Sequence, residues 1–379
     1  MRVGTVKEIK CHEYRVGLTP ACVRSYVARG HEVLVERSAG LVAGFSDDDY
    51  AEVGAVLVDG PEKVFSSCDM VVKVKEPQAS EVPLLRAGQI LFTYLHLAAS
   101  RELTEGLLKS GVSAVAYETI ETPTGALPCL KPMSEIAGRL SVQEGAKYLE
   151  RTFGGRGVLL AGVPGVPRGK VGILGGGVVG TNACKIAVGM GADVTILDLS
   201  HDRLAYLDDI FSTHITTLYS TDSHIEKVLE QSDVVIGSVL IPGAKAPKLI
   251  RRDHLTRMKP GAVIVDVAID QGGCCETSKP TSHENPVFSE NGIVHYCVAN
   301  MPGSVARTST MALTNATLPY IQQLASGDYR KLLSSDPHFA AGLNVFDGRL
   351  THPAVAEALD APWTTPDAAL SQPVHLKSA

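Results

Sequence analysis

Three glycines of the sequence are spaced as in a turn that holds a dinucleotide. Gly175, Gly177 and Gly180 form a G-x-G-x-x-G pattern, which follows the apolar residues 171–174 and precedes an uninterrupted helical pattern. Asp198 ends the next apolar stretch, at the spacing of about 20 residues that dinucleotide-binding units show. In such units the glycines let a pyrophosphate approach the backbone and the helix N-terminus. The pattern alone is weak, but this context favours a dinucleotide site over a glycine turn without a ligand.

Asp198 also indicates the kind of dinucleotide. Its carboxylate suits a ribose diol and repels a 2′-phosphate, so NAD is favoured over NADP, although Arg203 one helical turn further on keeps NADP open. Ligands of such sheets lie beyond the carboxyl ends of the strands, where we expect the other cofactor contacts. The residues predicted there are Val178 after the glycine turn, Ser220, Val239, Leu240, Val267, Ala268, Ile269, Asp270, Val298, Ala299, Asn300 and Met301.

Two cationic side chains upstream suit the binding of a small anionic substrate. Arg15, in EYRVGLTP, stands beside a predicted helix start, and its guanidinium can hold a carboxylate through two parallel hydrogen bonds. Lys75, in KVKEP, ends a predicted strand, where ligands gather. Each has an ordinary alternative. Arg15 also fits a solvated surface position, and the alternation of Lys73 with Lys75 also fits a solvated strand face.

Two titratable side chains suit the proton transfers of a dehydrogenase. His96 stands near the end of the apolar run QILFTYLHLAAS, residues 89–100, and an imidazole titrates near neutrality. Asp270 ends the predicted strand AVIVDVAID, just before QGG. The alternatives are a core histidine with a buried partner and a turn-forming aspartate.

The predicted elements place these residues in two sheets. Five stretches rich in β-branched residues alternate with helical patterns in the first part of the chain, as in a parallel sheet covered by helices. They are RVGTVKE, HEVLVERS, DMVVKVKEP, ILFTYLHLA and SAVAYETI. Five more follow the Gly/Pro-rich residues 153–170, namely KVGILGGG, ADVTILD, SDVVIGSVL, GAVIVDVAID and NGIVHYCVAN. We predict an α/β protein with two Rossmann-like, doubly wound domains and mostly parallel sheets.

The domain boundaries follow from the same pattern. A helix is predicted over residues 131–151, with Ser134 as its N-cap. The chain after Ser304 is also predicted to be helical, and we expect these C-terminal helices to return to the first domain. The Pro/Ser/Ala-rich tail from about 361 is expected to be mobile. The predicted domains are a substrate and catalytic domain, 1–130 with 305–379, and an NAD-binding Rossmann domain, 131–304.

Composition and charge argue against several classes of protein. The chain has 379 residues, which suggests two or three domains, and a net charge of -6 with both signs mixed, which gives no basic stripe for nucleic acid. Its eight cysteines show no CxxC spacing, so we expect reduced thiols. We find no signal-peptide pattern and no apolar run near the ~18 residues that a membrane helix needs. We expect a cytoplasmic protein with neither a nucleic-acid nor a membrane partner.

Eight segments of the chain form a combination far more specific than the glycine pattern. They are EYRVGLTP, KVKEP, GQILFTYLHLAAS, KPMSEIAGRL, GGRGVLLAGVPGVPRG, VIGSVLIPGAKAPKLI, MKPGAVIVDVAIDQGG and VANMPGSVARTSTMALTNATLPY. Together they resemble the bacterial NAD-dependent alanine dehydrogenases, in register from Met1 to about Pro362. The resemblance implies two Rossmann-like domains, usually assembled as hexamers, and reversible NAD-dependent oxidative deamination of L-alanine to pyruvate and ammonia.

The resemblance also implies a role for each candidate residue. His96 matches the catalytic acid/base and Asp270 its assistant, while Arg15 and Lys75 match the residues that hold the carboxylate and carbonyl of pyruvate. Met133 matches a residue beside the substrate. The matched NAD contacts are Ser134, Asp198, Arg203, Ser220, Val239, Leu240, Val267 to Asp270, and Val298 to Met301.

Some positions depart from the family pattern, away from the predicted chemistry. Cys11 and His12 stand where amide side chains are common, and Ala306 stands where a proline is usual. Some relatives hold a divalent ion beside a C-terminal helix. Gln323 and Gly327 offer no anionic ligand there, so we predict no metal site.

Two other classes of protein share part of the pattern. The NAD(H)-binding subunit of proton-translocating transhydrogenase has a similar fold, a similar RV-x-(L/I)-(T/S)-P start and the KPG segment. That pattern lacks a histidine matching His96 and has Glu in place of Asp270. A non-catalytic NAD-sensing protein would keep the glycine turn but have no reason to keep Arg15, Lys75 and His96 together.

Overall fold

The computed structural model describes residues 1–239 and 245–372 of the chain. They form two compact units, one made of Met1–Pro132 with the described residues from Val305 onward, and the other of Met133–Ser304. The first boundary therefore lies between 132 and 133, where the sequence placed it between 130 and 131. Because the first unit consists of two chain segments, the second is an insertion within it.

Strands and helices alternate along most of the described chain. The strands are β1 (Arg2–Thr5), β2 (Glu32–Glu36), β3 (Val56–Val58), β4 (Met70–Val72), β5 (Ile90–Thr93), β6 (Ser113–Ala116), β7 (Lys170–Leu174), β8 (Asp193–Asp198), β9 (Ile215–Tyr219), β10 (Val234–Gly237), β11 (Val263–Asp266), β12 (Val287–Glu290), β13 (Ile293–Tyr296), β14 (Leu343–Phe346) and β15 (Arg349–Leu350). The α-helices are α1 (Pro20–Val27), α2 (Asp47–Glu52), α3 (Pro61–Ser67), α4 (Arg101–Ser110), α5 (Lys131–Tyr148), α6 (Val178–Gly189), α7 (His201–Phe211), α8 (Asp222–Gln231), α9 (Ala306–Ala325), α10 (Tyr329–Ser335), α11 (Pro337–Ala340), α12 (Pro353–Leu359) and α13 (Pro366–Leu370). Among the described residues, no helix combines the length and the apolar character needed to cross a membrane.

The sheet of the first unit has the strand order β15-β14-β6-β5-β4-β1-β2-β3. Strands β1 to β6 are parallel to one another. Strand β14 pairs antiparallel with β6, and β15 pairs antiparallel with β14. Every residue of β4, β5 and β6 is buried, which is typical of parallel strands covered on both faces. The strand order reverses between β1 and β4, and open α/β sheets bind ligands beyond the strand ends at such a reversal.

The sheet of the second unit has a similar arrangement, with seven strands in place of eight. Its order is β12-β13-β11-β10-β7-β8-β9, in which only β12 is antiparallel to its neighbour. The reversal lies between β7 and β10. Buried Val, Ile and Leu side chains fill β7, β10 and β11, while β9 at the edge is only partly buried.

The predicted fold class is confirmed. Both units are doubly wound and mostly parallel, and the helices after Ser304 belong to the first unit. The sequence did not predict strands β3, β9, β12, β14 and β15. Three of these, β12, β14 and β15, belong to two hairpins whose turns carry a recognisable signal. Asn291-Gly292 and Asp347-Gly348 have positive φ at both residues, the geometry that Asn-Gly and Asp-Gly favour.

Two predictions about the ends of α5 and one about the C-terminal tail are wrong. Helix α5 begins at Lys131, so Ser134 lies within its first turns and is not its N-cap, and the helix ends at Tyr148. The tail after 361 was expected to be mobile, but Pro366–Leu370 form α13, and burial of Ala369 and Leu370 stabilises that helix. Residues 373–379 lie outside the described part of the chain.

Candidate active site

Three predicted site residues of the first unit lie at one edge of its sheet. Arg15, Lys75 and His96 follow β1, β4 and β5, which are adjacent parallel strands, so all three emerge at the carboxyl ends beside the strand-order reversal. The strands end sooner than predicted, β4 at Val72 and β5 at Thr93. Lys75 and His96 therefore stand in loops beyond the strands. The sheet thus places the two predicted cationic side chains and the predicted imidazole at the same edge.

The Arg15 guanidinium is held by an acidic neighbour, Glu13, which the sequence interpretation missed. Nε and Nη2 of Arg15 donate to the two carboxylate oxygens of Glu13 at 2.6 and 2.5 Å, and the side chains are 2% and 0% exposed. Burial raises the pKa of Glu13, but the hydrogen bonds and charge of Arg15 outweigh it, so the net pKa lies below its usual value. This buried pair contradicts a solvated position for Arg15 and fixes the plane of its guanidinium.

Lys73 and Lys75 have different environments, which excludes the solvated strand face. Lys73 is fully buried and its Nζ donates to Glu8 at 3.2 Å and to Glu81 at 2.7 Å. Lys75 is half-buried, and burial followed by the charges of Arg15 and Lys10 lowers its pKa. A lysine in this setting gives up a proton more readily than one in water, which suits a group that alternates between donor and acceptor beside a carbonyl.

His96 lies in a loop, and its exposure and backbone conformation differ from those of a core histidine. Its side chain remains 45% exposed, and its ring stacks on Tyr94 with the ring centres 5.9 Å apart. Its backbone has φ 49 and ψ 39, the left-handed region that residues with a β-carbon rarely adopt. Partial burial lowers the pKa of the imidazole, Glu118 opposes this shift, and Lys75 adds to it. The ring is thus accessible and tends toward its neutral form, as a general base must be.

The glycine turn of the second unit has the geometry that the sequence predicted. Gly175 has φ 100, and Gly177 is the N-cap residue of α6. A β-carbon at Gly180 would lie 1.8 Å from the carbonyl oxygen of Gly175, whereas one at Gly177 would meet nothing within 4 Å. Gly180 is therefore needed for close packing, and Gly177 leaves open space at a helix N-terminus, where a pyrophosphate fits.

Asp198 and Arg203 brace this turn from the side. Asp198, the last residue of β8, accepts hydrogen bonds from the N–H groups of Gly176 at 2.7 Å and Ser200 at 2.8 Å. Arg203 donates to the carbonyl oxygen of Gly176 and to Thr181 Oγ1. The carboxylate and the guanidinium thus already have roles in shaping the turn, in addition to any contact with a ribose.

Most of the remaining candidates of the second unit lie in segments that follow its strands, and two lie in α5. Ser220 follows β9 and donates its N–H to the Asp198 carbonyl oxygen at 3.0 Å, and Val239 follows β10. Val298, Ala299, Asn300 and Met301 follow β13, while Val267, Ala268 and Ile269 lie in a 3-10 turn after β11, and Met133 and Ser134 lie in the first turns of α5. Leu240 lies outside the described residues.

The sequence predicted that Asp270 ends a strand, and this prediction is wrong. Strand β11 ends at Asp266, and Asp270 is an exposed residue of the 3-10 turn Val267–Gln271. Asp266 instead fills a structural role, because its carboxylate accepts hydrogen bonds from the N–H groups of Cys274 and Cys275 and from Ser278 Oγ. The apolar run continued past the true strand end, which is why the sequence placed the end too late.

A matched pair of variants tests the glycine turn. We expect Gly180→Ala to lower the free energy of unfolding by about 1–3 kcal/mol, since the new methyl group collides with backbone. Gly177→Ala should unfold like the parent but bind NADH more weakly, because the methyl group fills the space at the helix N-terminus. Denaturant unfolding and NADH fluorescence titration measure the two effects. Equal behaviour of the two variants would contradict the assignment of different roles.

Comparison with known proteins identifies the family of the chain. Two family profiles match, "Alanine dehydrogenase/PNT, N-terminal domain" over residues 4–137 and "Alanine dehydrogenase/PNT, C-terminal domain" over residues 141–353. The fold and these matches define an oxidoreductase that uses a nicotinamide cofactor. More particularly, the chain belongs to the alanine dehydrogenase/PNT family.

Individual relatives are similar over nearly the whole chain. An alanine dehydrogenase of Halomonas elongata is 58% identical over 94% of this chain and 96% of its own length, and one of Methanococcus maripaludis is 52% identical over 98% and 100%. A solved L-alanine dehydrogenase superposes with a TM-score of 0.93 at 54% identity, covering 95% of this chain and 99% of that one. A transhydrogenase structure from Sinorhizobium meliloti, at 24% identity and a TM-score of 0.80, covers 93% and 100% and shows the shared fold alone.

Proposed function

We propose that this chain catalyses the reversible, NAD-dependent oxidative deamination of L-alanine to pyruvate and ammonium. The observation that carries the proposal is the single sheet edge where a buried arginine, a lysine with a lowered pKa and an accessible imidazole follow adjacent parallel strands. Relatives that are 52–58% identical over nearly the full chain are alanine dehydrogenases, which supports the same substrate.

Each side chain of the sheet edge has a defined task in this reaction. Arg15 holds the carboxylate of alanine, and Lys75 holds the group on Cα, so that the Cα hydrogen is oriented. NAD, when bound, supplies the hydride acceptor. His96 removes a proton from the water that adds to the resulting iminium carbon and returns it to the nitrogen of the carbinolamine. It then accepts the hydroxyl proton as the carbonyl of pyruvate forms and ammonia leaves. The assistance of Asp270 and the place of Met133 beside the substrate rest on the family resemblance.

The glycine turn and Asp198 support NAD as the cofactor. We expect Asp198→Ala to raise the ratio of kcat/KM with NADP to kcat/KM with NAD by about tenfold, because the variant loses a hydrogen bond to the ribose and a charge that repels a 2′-phosphate. Asp202→Ala, which removes an acidic residue from the first turn of α7, is the matched control and should leave the ratio unchanged. An unaltered ratio in Asp198→Ala would mean that residues other than Asp198 recognise the ribose.

An assay of NADH formation by the purified chain tests the proposed function. The substrates are L-alanine, glycine, L-serine and L-lactate, and we expect the fastest turnover with L-alanine. No turnover with any amino acid would overturn the dehydrogenase proposal. Transfer of hydride between two nicotinamide dinucleotides in the absence of an amino acid would instead favour the transhydrogenase alternative.

We further propose that the chain works in the cytoplasm as a homohexamer with small-molecule partners. Eight free cysteines, seven of them buried, support a reducing compartment. The hexamer is supported by the family resemblance. Light scattering of the purified chain measures the mass directly, and a monomer at assay concentration would overturn the hexamer.

A further inference from the structure

A carboxylate lies behind the loop that carries His96. Strands β5 and β6 are parallel and pair Thr93 with Ala116, so the residues two positions further along, Leu95 and Glu118, continue side by side beyond the strand ends. The ladder of hydrogen bonds between the strands has ended there. The Glu118 side chain, 14% exposed, takes over as the acceptor for this part of the loop.

Glu118 satisfies two successive backbone N–H groups. Its Oε1 accepts from the Leu95 N–H at 3.0 Å and from the His96 N–H at 2.7 Å, and its Oε2 lies 3.3 Å from the Leu95 nitrogen. Successive N–H groups that converge on one anion stabilise tight turns. His96 itself holds a left-handed conformation, with φ 49, that is unfavourable for a residue with a β-carbon. The carboxylate therefore stabilises a backbone geometry that the loop would not keep unaided.

Glu118 also faces the imidazole. Oε1 lies 3.9 Å from His96 Nδ1, within ion-pair distance but beyond the length of a hydrogen bond. Burial is the main influence on the imidazole and lowers its pKa, and Glu118 is the largest opposing influence. The other charges that act on the ring are Lys75 and Lys10, which lower its pKa, and Glu76, which raises it.

We propose that Glu118 is a positioning residue, which holds the His96 loop in its left-handed turn and orients the imidazole for proton transfer. The proposal deepens the proposed function and rests on His96 being the acid/base of that reaction. Glu118 needs no contact with substrate for this task. Its carboxylate supplies what neither Tyr94 stacking nor the β5 ladder supplies, namely acceptors for the loop N–H groups and a negative charge beside the ring.

The test compares Glu118→Gln with the parent protein. Glutamine keeps an oxygen for the loop N–H groups and loses the charge, so we expect the pKa of His96 to fall by about one unit. Histidine NMR titration of the full chain without substrate measures this shift, and the His96 signal is assigned from its absence in His96→Asn. The His96-dependent limb of the kcat/KM profile for L-alanine should move to lower pH by the same amount, and kcat should fall by about tenfold.

Glu121→Gln is the matched control, because it removes one exposed carboxylate three positions away on the same segment. It should leave the pKa of His96 and kcat unchanged. If Glu118→Gln titrates and turns over like this control, the proposal is overturned. A fall in kcat together with weaker NADH binding and an unmoved His96 pKa would also overturn it, since that pattern marks general damage.

The NMR titration separates this proposal from the proposed function. If the parent protein turns over no amino acid, the dehydrogenase proposal fails, while the His96 shift still reports on Glu118. If Glu118→Gln does not fold, Glu118→Asp replaces it. Aspartate keeps the charge at a greater distance, so we expect a smaller downward shift of the His96 pKa, and no shift would overturn the proposal.

Discussion

Replacing His96 by alanine should lower kcat for alanine oxidation by about 10²- to 10⁴-fold, the contribution of a well-placed general acid–base. The imidazole is 45% exposed at the carboxyl edge of the sheet, and burial lowers its pKa, so at neutral pH it is poised to accept a proton. Binding of NADH should change little, because the glycine turn and Asp198 belong to the other unit. Steady-state kinetics and NADH fluorescence titration measure the two quantities.

His31→Ala is the control for this variant. His31 directly precedes β2 in the same unit, so it lies at the amino edge of the sheet, opposite the proposed site. We expect its kcat to match that of the parent. If His96→Ala turns over as fast as the His31→Ala control, His96 is not the acid/base and its role is purely structural.

Replacing Lys73 by methionine should lower the free energy of unfolding by about 3–5 kcal/mol at pH 7, the usual cost of leaving buried charge without its partner. Lys73 is fully buried between Glu8 and Glu81, each of which is 2% exposed. Denaturant unfolding followed by the fluorescence of Trp363, the single tryptophan, reports on this unit. Adding Glu8→Gln and Glu81→Gln to the variant should restore most of the loss, since no buried charge is then left unpaired.

The loss should shrink in acid. Burial raises the pKa of Glu8 above its ordinary 4.5, and the charge of Lys73 opposes that shift, so removing Lys73 raises it further. An acid whose pKa is raised by folding destabilises the folded state as pH rises through the interval between its unfolded and folded pKa values. The deficit should therefore be largest above that interval and smallest near pH 4.5. Lys63→Met, which removes an exposed lysine of α3, is the control and should leave the free energy of unfolding unchanged at pH 7 and near pH 4.5. A loss of stability in Lys73→Met that does not depend on pH would contradict the role given to Glu8.

The sequence predicted the central strands of both sheets, because the strongest signal of these strands is local. Buried parallel strands are continuous apolar runs, and the glycine turn and its acidic strand end have fixed spacings. Strand ends were predicted less well. Val74 and Leu95 are apolar and buried but lie outside β4 and β5, since their N–H groups donate to the carboxylates of Glu8 and Glu118. An apolar pattern does not reveal whether a buried N–H group bonds to a neighbouring strand or to a side chain.

The residues that support the site were missed for a related reason. Glu8 and Glu118 accept hydrogen bonds from backbone N–H groups of other loops, 66 and 22 residues away in the chain. No sequence spacing therefore identifies these two residues as part of the site. Glu13 stands two positions before Arg15 and was accessible to sequence reasoning, because a buried guanidinium requires a carboxylate nearby. Acidic residues just beyond adjacent strand ends are the signal to seek in similar chains.

The insertion of the second unit within the first also sets an order of events during synthesis. Strands β1 to β6 leave the ribosome well before β14, which pairs with the outer side of β6, because residues 133–304 are made in between. Until then β6 has an open edge of unpaired N–H and C=O groups, and such edges attract other strands. The second unit has no such delay, since its sheet comes from one continuous segment. The inserted unit is therefore expected to fold first, and the sheet that carries His96 is completed only when the C-terminal hairpin arrives.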